Sequence, residues 1–245
     1  MSYYTLPSFN TNNISINNNE DLTISNSLVQ YVEQCYNNLI ENQYNEFGLR
    51  FVYIYPLLNK KLKQYIDIFF YNIIEINTIC SLINDNSKIL LIDNNEMKDN
   101  LINYTNIFDS FNTYLYKNEI VDNLKYSLIL KNNIIKNIQD FIEILTLIKD
   151  YQEYRGDIII KIKNTNENMY INIIYILSVI YNKIVVLKPN SGNIFTFERY
   201  IVCKKYNKSI HLDSLIRDIK RENSVSVSNI PLFFLNKLDE CNNIM

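Results

Sequence analysis

Short β-apolar runs alternate with longer segments of helical periodicity between residues 88 and 205. Strand–helix–strand units of this kind predict a mostly parallel sheet with helices on both faces. The last two strands are joined by only about nine residues, which is too short for a parallel crossover, so we expect them to be antiparallel. The pattern predicts strands at 88–93, 125–130, 156–163, 183–188 and 198–205, and helices at 97–116, 133–154 and 168–181.

The flanking segments complete the predicted architecture. Gly156 follows the predicted helix 133–154 and is expected to form its C-terminal cap. We expect two parts, an N-terminal extension with a helix at 1–45 and a single globular domain at 46–245. The remaining elements are an irregular lead at 1–20, helices at 21–45, 59–83 and 209–222, and a strand-rich segment at 47–58.

Glycine is scarce, because the chain contains only Gly48, Gly156 and Gly192 and no Gly-x-Gly. Loops that cradle phosphates need glycine, since their backbone must approach the ligand closely. The sequence therefore excludes a P-loop and a dinucleotide-binding fingerprint. The four cysteines show no Cys-x-x-Cys spacing and there is a single histidine, so we expect no metal site.

Charge and hydropathy restrict the class of protein further. The formal net charge of −2 lacks the basic excess of a free-standing nucleic-acid-binding protein. The N-terminus, MSYYTLPSFN, has no basic region followed by an apolar one, so no signal peptide is expected. The apolar run YIDIFFYNIIEI is interrupted by Asp67, Asn72 and Glu75, so we expect no transmembrane segment. These features predict a soluble intracellular protein.

Two late motifs point to a particular chemistry. GDIIIKIK, followed by KPNSGNIFTFERYIVC, resembles the C-terminal half of FtsJ-type RNA ribose 2′-O-methyltransferases. Lys161 lies where that family has a catalytic strand lysine, and Glu198, ten residues after Lys188 of the KP turn, lies where it has a catalytic glutamate. The resemblance implies an α/β fold with a Rossmann-like methyltransferase sheet, mostly parallel with an antiparallel terminal strand. In such a site a lysine held by acidic neighbours orients and helps to deprotonate the ribose hydroxyl.

The other half of the family pattern is missing from this sequence. The segment SKILLIDNNEMKDN, where the family has a Gly-rich turn for S-adenosylmethionine, contains no glycine. The family's strand-end aspartate corresponds to the segment Lys131, Asn132 and Asn133, which offers no carboxylate. Lys60 and Lys61 are the candidates for the family's first lysine.

Three interpretations of Lys161 and Glu198 follow. In the first they are vestigial, the chain binds no cofactor and it is not an enzyme. In the second they are catalytic, and the chain is a divergent S-adenosylmethionine-dependent RNA or cap ribose 2′-O-methyltransferase. A simple ion pair of Glu198 with Lys161 or Arg199, in a structural protein with this fold, is a third interpretation.

A second resemblance runs along most of the chain. YYTLPSFN (3–10), NEFGLRFVYI (45–54) and YRGDIIIKIK (154–163), with VVLKP and VCKK beyond, resemble the small regulatory subunits of poxvirus mRNA-capping enzymes, in the same order. The abundance of Asn, Ile and Tyr is what an AT-rich coding sequence yields, as in insect poxviruses.

The second resemblance implies the first interpretation, a non-catalytic subunit. Its partner would be the large catalytic subunit, whose cap guanine-N7 methyltransferase domain it would bind and stimulate. RNA would be contacted indirectly, through that partner, and no membrane would be contacted. It further implies a role in viral transcription termination and a location in the cytoplasmic viral factory and the virion.

Overall fold

The structure is a computed structural model that describes residues 2–11, 14–17, 30–31, 34, 37, 68–84, 87–92, 114–117, 124–192, 196–207 and 211–244. Within these ranges it contains seven strands and five helices with defined ends. The strands are β1 (Ser2–Leu6), β2 (Lys88–Ile92), β3 (Tyr114–Lys117), β4 (Tyr126–Ile134), β5 (Gln152–Ile162), β6 (Tyr181–Lys188) and β7 (Arg199–Tyr206). The helices are α1 (Ile68–Cys80), α2 (Ile138–Tyr151), α3 (Asn168–Ile180), α4 (Leu212–Glu222) and α5 (Leu232–Ile244).

All seven strands form one sheet in the order β1-β6-β7-β5-β4-β2-β3. β3, β2, β4 and β5 pair in parallel, whereas β7 pairs antiparallel with both β5 and β6. The prediction of a mostly parallel sheet with an antiparallel terminal strand is confirmed. β6 and β7 form a hairpin, and β7, its second strand, lies between β5 and β6. The first strand of the hairpin, β6, is therefore further from the parallel core than the second.

Helices cover each face of the sheet. Successive side chains of a strand point to opposite faces, so one strand contributes to the apolar clusters on both sides. On β5, Ile158, Ile160 and Ile162 belong to the apolar cluster beneath α2, α3, α4 and α5. Ile159 belongs to the opposite cluster, which contains Tyr71 and other buried residues of α1. The strands at the centre of the sheet are therefore apolar on both faces, as parallel sheets with helical layers require.

The first residues of the chain are a strand, and the prediction of an irregular lead is wrong at residues 2–6. β1 pairs antiparallel with β6, from Ser2 opposite Lys188 to Leu6 opposite Ile184. Five residues carry too little periodicity to identify a strand by themselves. The strand forms because β6 offers it a complete row of backbone hydrogen-bond partners.

The prediction for residues 133–154 is wrong at both ends. β4 continues through Ile134, and α2 begins only after Asn137, whose side chain accepts a hydrogen bond from the Asp140 amide at 2.9 Å. The helix ends at Tyr151, so Gly156 lies within β5 and is not a helix cap. Residues 114–116, predicted as the end of a helix, belong to β3.

Several other predictions fall outside the described residues. These are the strand-rich segment 47–58, most of the helix 21–45, the first part of the helix 59–83, and 97–113. Within the predicted helix 21–45, the structure describes residues 30, 31, 34 and 37, which are helical and exposed. The division of the chain into 1–45 and 46–245 stays a prediction.

Gly156 is needed for space, which gives a test of the fold. A Cβ at this position would lie 2.2 Å from the Gln152 Nε2 atom, 2.9 Å from the Ser127 carbonyl and 3.0 Å from the Glu153 carbonyl. We expect Gly156→Ala to lower the free energy of unfolding by about 1–3 kcal/mol, since two of these atoms are backbone and cannot move away. Urea unfolding measures the change.

Gly192→Ala is the matched control, because its Cβ would meet no atom closer than 3.4 Å. Its free energy of unfolding should change by less than about 1 kcal/mol. Equal losses for the two variants would show that glycine flexibility, and not the space around Gly156, matters.

Candidate functional site

The antiparallel direction of β7 assembles the site. Because β7 runs against β5, its first residues lie beside the carboxyl end of β5, with Tyr200 opposite Lys161 and Arg199 opposite Ile162. Glu198, which immediately precedes β7, therefore comes next to Lys161. The carboxyl ends of parallel strands, where open α/β sheets bind their ligands, meet at this same edge.

Lys161 and Glu198, the two candidate residues of the sequence, form an ion pair. The Lys161 Nζ atom lies 2.6 Å from the Glu198 Oε2 atom, and their side chains are 20% and 33% exposed. The same Nζ atom lies 5.9 Å from the centre of the Tyr200 ring, which gives a cation–π contact. The Arg199 guanidinium contacts the backbone carbonyl of Glu198 at 3.1 Å.

Tyr200 connects the ion pair to two other elements. Its buried hydroxyl donates to the Asn132 Oδ1 atom at the end of β4, at 3.0 Å, and accepts from the Asn72 Nδ2 atom of α1, at 3.2 Å. The hydroxyl thus serves as donor and acceptor at once. It provides a hydrogen-bond partner for one polar atom of each of the two amides.

α1 also holds the turn between β6 and β7. The buried Glu75 carboxylate accepts from the backbone amides of Asn190 and Ser191 at 2.8 and 2.9 Å. Ser191 Oγ donates to the Asn72 Oδ1 atom at 2.8 Å. Two hydrogen bonds from adjacent backbone amides thus anchor this turn to α1.

At the position of the family's aspartate the structure places an amide. Asn132 faces Tyr200, whereas Lys131, only 6% exposed, points to the other face, where its Nζ atom lies 3.7 Å from the Glu143 carboxylate of α2. A cleft of about 530 Å³ opens at this edge, and it is lined by Lys131, Asn132, Asn133, Ile134, Lys136, Asp140, Glu143 and Lys161.

Lys188, at the end of β6, is a second lysine near Glu198. Its Nζ atom donates to the Thr196 carbonyl at 2.7 Å. The pKa of Lys188 is lowered to about 8, chiefly by burial and in addition by the positive charge of Arg199, while Glu198 offsets part of the effect.

Sequence reasoning missed part of this site. Tyr200 lies two residues after Glu198, but its role depends on contacts from β4 and α1 that no spacing reveals. Asn72 and Glu75 were noticed only as polar interruptions of an apolar run. Lys60 and Lys61 lie outside the described residues. The same holds for residues 93–113, which include most of SKILLIDNNEMKDN, the segment that corresponds to the family's Gly-rich turn.

Two further observations concern metals and membranes. Across the described ranges, no three His, Cys, Asp or Glu side chains are grouped so that they could hold a metal ion. No helix in that part of the chain has the length and apolar character needed to cross a membrane.

Comparison with solved structures finds methyltransferases. A ribosomal RNA methyltransferase from Plasmodium falciparum is 17% identical, with a TM-score of 0.41, and the match covers 56% of this chain and 96% of that one. An rRNA methylase from Streptococcus thermophilus is 13% identical, with a TM-score of 0.33 and coverage of 55% and 95%. The Methanococcus jannaschii pre-rRNA processing protein fibrillarin is 11% identical, with a TM-score of 0.29 and coverage of 51% and 70%. No family model and no curated protein matches the chain.

The sheet order, with a reversed strand inserted beside a parallel core, defines the class: the chain has a Rossmann-like methyltransferase fold. The prediction that the chain is not an enzyme is wrong at the level of the fold, because a Rossmann-like methyltransferase sheet is an enzyme fold. The distant likenesses bear on the fold alone.

Removal of the Tyr200 hydroxyl tests the polar network. We expect Tyr200→Phe to lower the free energy of unfolding by about 1–3 kcal/mol, because the buried amide of Asn72 and the half-buried amide of Asn132 each lose a hydrogen-bond partner. Tyr154→Phe, at a tyrosine that is 55% exposed, is the control and should leave it nearly unchanged. Urea unfolding of both variants decides, and a Tyr200→Phe variant as stable as the wild type would contradict the network.

The lowered pKa of Lys188 predicts a pH dependence. Its pKa is about 8 in the folded protein against an ordinary 10.5, so between these values the unfolded chain binds a proton that the folded protein has lost. Rising pH therefore favours the folded state across this window, and below about pH 8 the penalty of burying the charge is complete. The stability of the wild type relative to Lys188→Met should rise from pH 8 to pH 10.

Urea unfolding at several pH values measures this difference. Lys183→Met, which removes an exposed lysine of the same strand, is the matched control variant. A constant difference between wild type and Lys188→Met would refute the lowered pKa of Lys188.

Proposed function

We propose that the chain is a subunit of a viral mRNA-capping enzyme. It binds the cap guanine-N7 methyltransferase domain of the large subunit and raises the activity of that domain. The heterodimer meets RNA through the large subunit, takes part in transcription termination, and is located in the cytoplasmic viral factory and the virion.

The observation that carries this proposal is the position of the resembling stretches in the sheet. YYTLP falls on β1 and the residues after it, RGDIIIKIK on β5, VVLKP on β6 and the turn after it, and VCKK on β7. These stretches lie far apart in the sequence, yet their strands are neighbours in the order β1-β6-β7-β5. The resemblance therefore describes one continuous part of the molecule, which four isolated chance matches would not do.

A physical account of stimulation follows from a rigid partner. A subunit that binds only the active arrangement of a catalytic domain raises the population of that arrangement. A tenfold increase requires a difference of about 1.4 kcal/mol in binding between the active and inactive arrangements. The doubly covered sheet and the buried network around Tyr200 provide a scaffold that does not have to be ordered on binding.

Co-expression with the large subunit's methyltransferase domain tests the proposal. We expect the two chains to copurify and the guanine-N7 methylation rate to rise at least about tenfold over that of the catalytic domain alone. Lys161→Met and Glu198→Gln should keep this stimulation within about twofold, because partner binding does not use the ion pair. Absence of a complex, or a complex without stimulation, would rule the proposal out.

The Lys161–Glu198 contact favours a second candidate function, ribose 2′-O-methylation of RNA. When bound, S-adenosylmethionine would supply an electrophilic methyl group. The chain's own contribution would be Lys161, held by Glu198 at 2.6 Å, which would orient the ribose hydroxyl. As the O–C bond formed, the methyl–sulfur bond of the donor would break and the hydroxyl proton would pass to the Lys161–Glu198 pair. Nothing in the described ranges assigns a contact to the methyl donor, since residues 93–113 lie outside them.

Methyl transfer to capped RNA by the isolated chain separates the two candidates. Under the second function, Lys161→Met and Glu198→Gln should each lower the rate by about a hundredfold or more. Lys163→Met, at an exposed lysine just beyond β5, is the matched control and should have little effect. No transfer by the wild type, together with no calorimetric binding of S-adenosylmethionine, would dismiss the second function without affecting the first.

A further inference from the structure

Two cations, one buried and one half-buried, hold the short segment that carries Glu198. Lys188 donates from β6 to the Thr196 carbonyl at 2.7 Å, and Arg199 donates from β7 to the Glu198 carbonyl at 3.1 Å. Arg199 is buried and Lys188 is half-buried. Both cations therefore bind the backbone of this segment, and the Glu198 carboxylate is left to face Lys161.

We propose that Lys188 is a positioning residue, which holds the Thr196 carbonyl and thereby fixes Glu198 at ion-pair distance from Lys161. The backbone between residues 196 and 198 is short, so a constraint on the Thr196 carbonyl limits where the Glu198 side chain can begin. A charge-assisted hydrogen bond is stronger than a neutral one, which suits an ammonium group for this constraint.

Charged groups from several elements surround Lys188, which is itself partly desolvated by burial. On β7, Arg199 disfavours the ammonium form of Lys188 and Glu198 favours it. On β5, Lys161 is paired with Glu198, and on α1, Glu75 binds the backbone amides of Asn190 and Ser191. On α5, Cys241 faces Arg199, and burial raises the pKa of Cys241 to about 12, so the thiol is neutral.

The positioning role is independent of which proposed function holds, because it is tested on the ion pair itself. A double-mutant cycle with Lys161→Met, Glu198→Gln and the double variant gives the coupling between the two residues as a ratio of unfolding constants. For a partly exposed pair we expect a coupling of about three- to tenfold in the wild-type background. The same cycle is then measured in a Lys188→Met background.

We expect the coupling to fall to within about 1.5-fold of unity in the Lys188→Met background, and Lys188→Arg, which keeps the charge and the donors, to restore at least half of it on a logarithmic scale. Lys183→Met, at the exposed lysine of the same strand, should leave the coupling unchanged. A loss of packing alone would lower stability without removing the coupling.

Should Lys188→Met fail to fold, Lys188→Gln serves in its place, because its amide keeps a donor without the charge. In the Lys188→Gln background, the coupling between Lys161 and Glu198 should be weaker than in the wild type and stronger than the value expected for Lys188→Met. An unchanged coupling in any folded Lys188 variant that lacks the charge would overturn the proposal, as would a loss that Lys188→Arg does not restore.

Discussion

The antiparallel pairing of β7 with both of its neighbours is the constraint on which the site depends. It turns one strand against the direction of the parallel core and so brings the start of β7 to the carboxyl ends of β5 and β6. Its central residues, Ile201, Val202 and Cys203, are buried, so a slip of one residue would exchange the two faces of the strand. The register that buries these side chains also sets Tyr200 opposite Lys161. Packing of the core and geometry of the site are therefore consequences of one alignment.

Polar side chains of α1 also position the site. Asn72 and Glu75 are polar residues on a largely apolar helix, and their burial would be costly without partners. Glu75 finds two backbone amides in the turn after β6, and Asn72 connects Ser191 to Tyr200. These hydrogen bonds fix where α1 lies along the sheet, which apolar contacts alone specify less sharply. The helix that covers one face thus also sets the position of the turn that leads to Glu198.

Much of this architecture could be predicted from sequence because it rests on local pattern. The alternation of strands and helices after residue 88, the antiparallel final pair, and the motif residues Lys161 and Glu198 were all visible in the chain. β1 was not, because five residues form a strand only when β6 is beside them. The start of α2 was misplaced because apolar residues run on from β4 into the helix, and only the Asn137 cap separates the two. Tyr200 was missed because its importance comes from groups on two other elements.

The amide at Asn132 determines what the end of β4 offers to the site. An asparagine in place of an aspartate keeps an oxygen acceptor for the Tyr200 hydroxyl but brings no charge. Within the described part of the chain, Glu198 is the carboxylate in ion-pair contact with Lys161, and Lys131 is directed to Glu143 on the opposite face. Methyl transfer would therefore rest on one ion pair where the FtsJ-type pattern has two acidic neighbours. The Asn132 side chain also accepts the hydrogen bond from Tyr200 that joins the end of β4 to the start of β7, so it holds these two strands together at the edge where the Lys161–Glu198 ion pair lies.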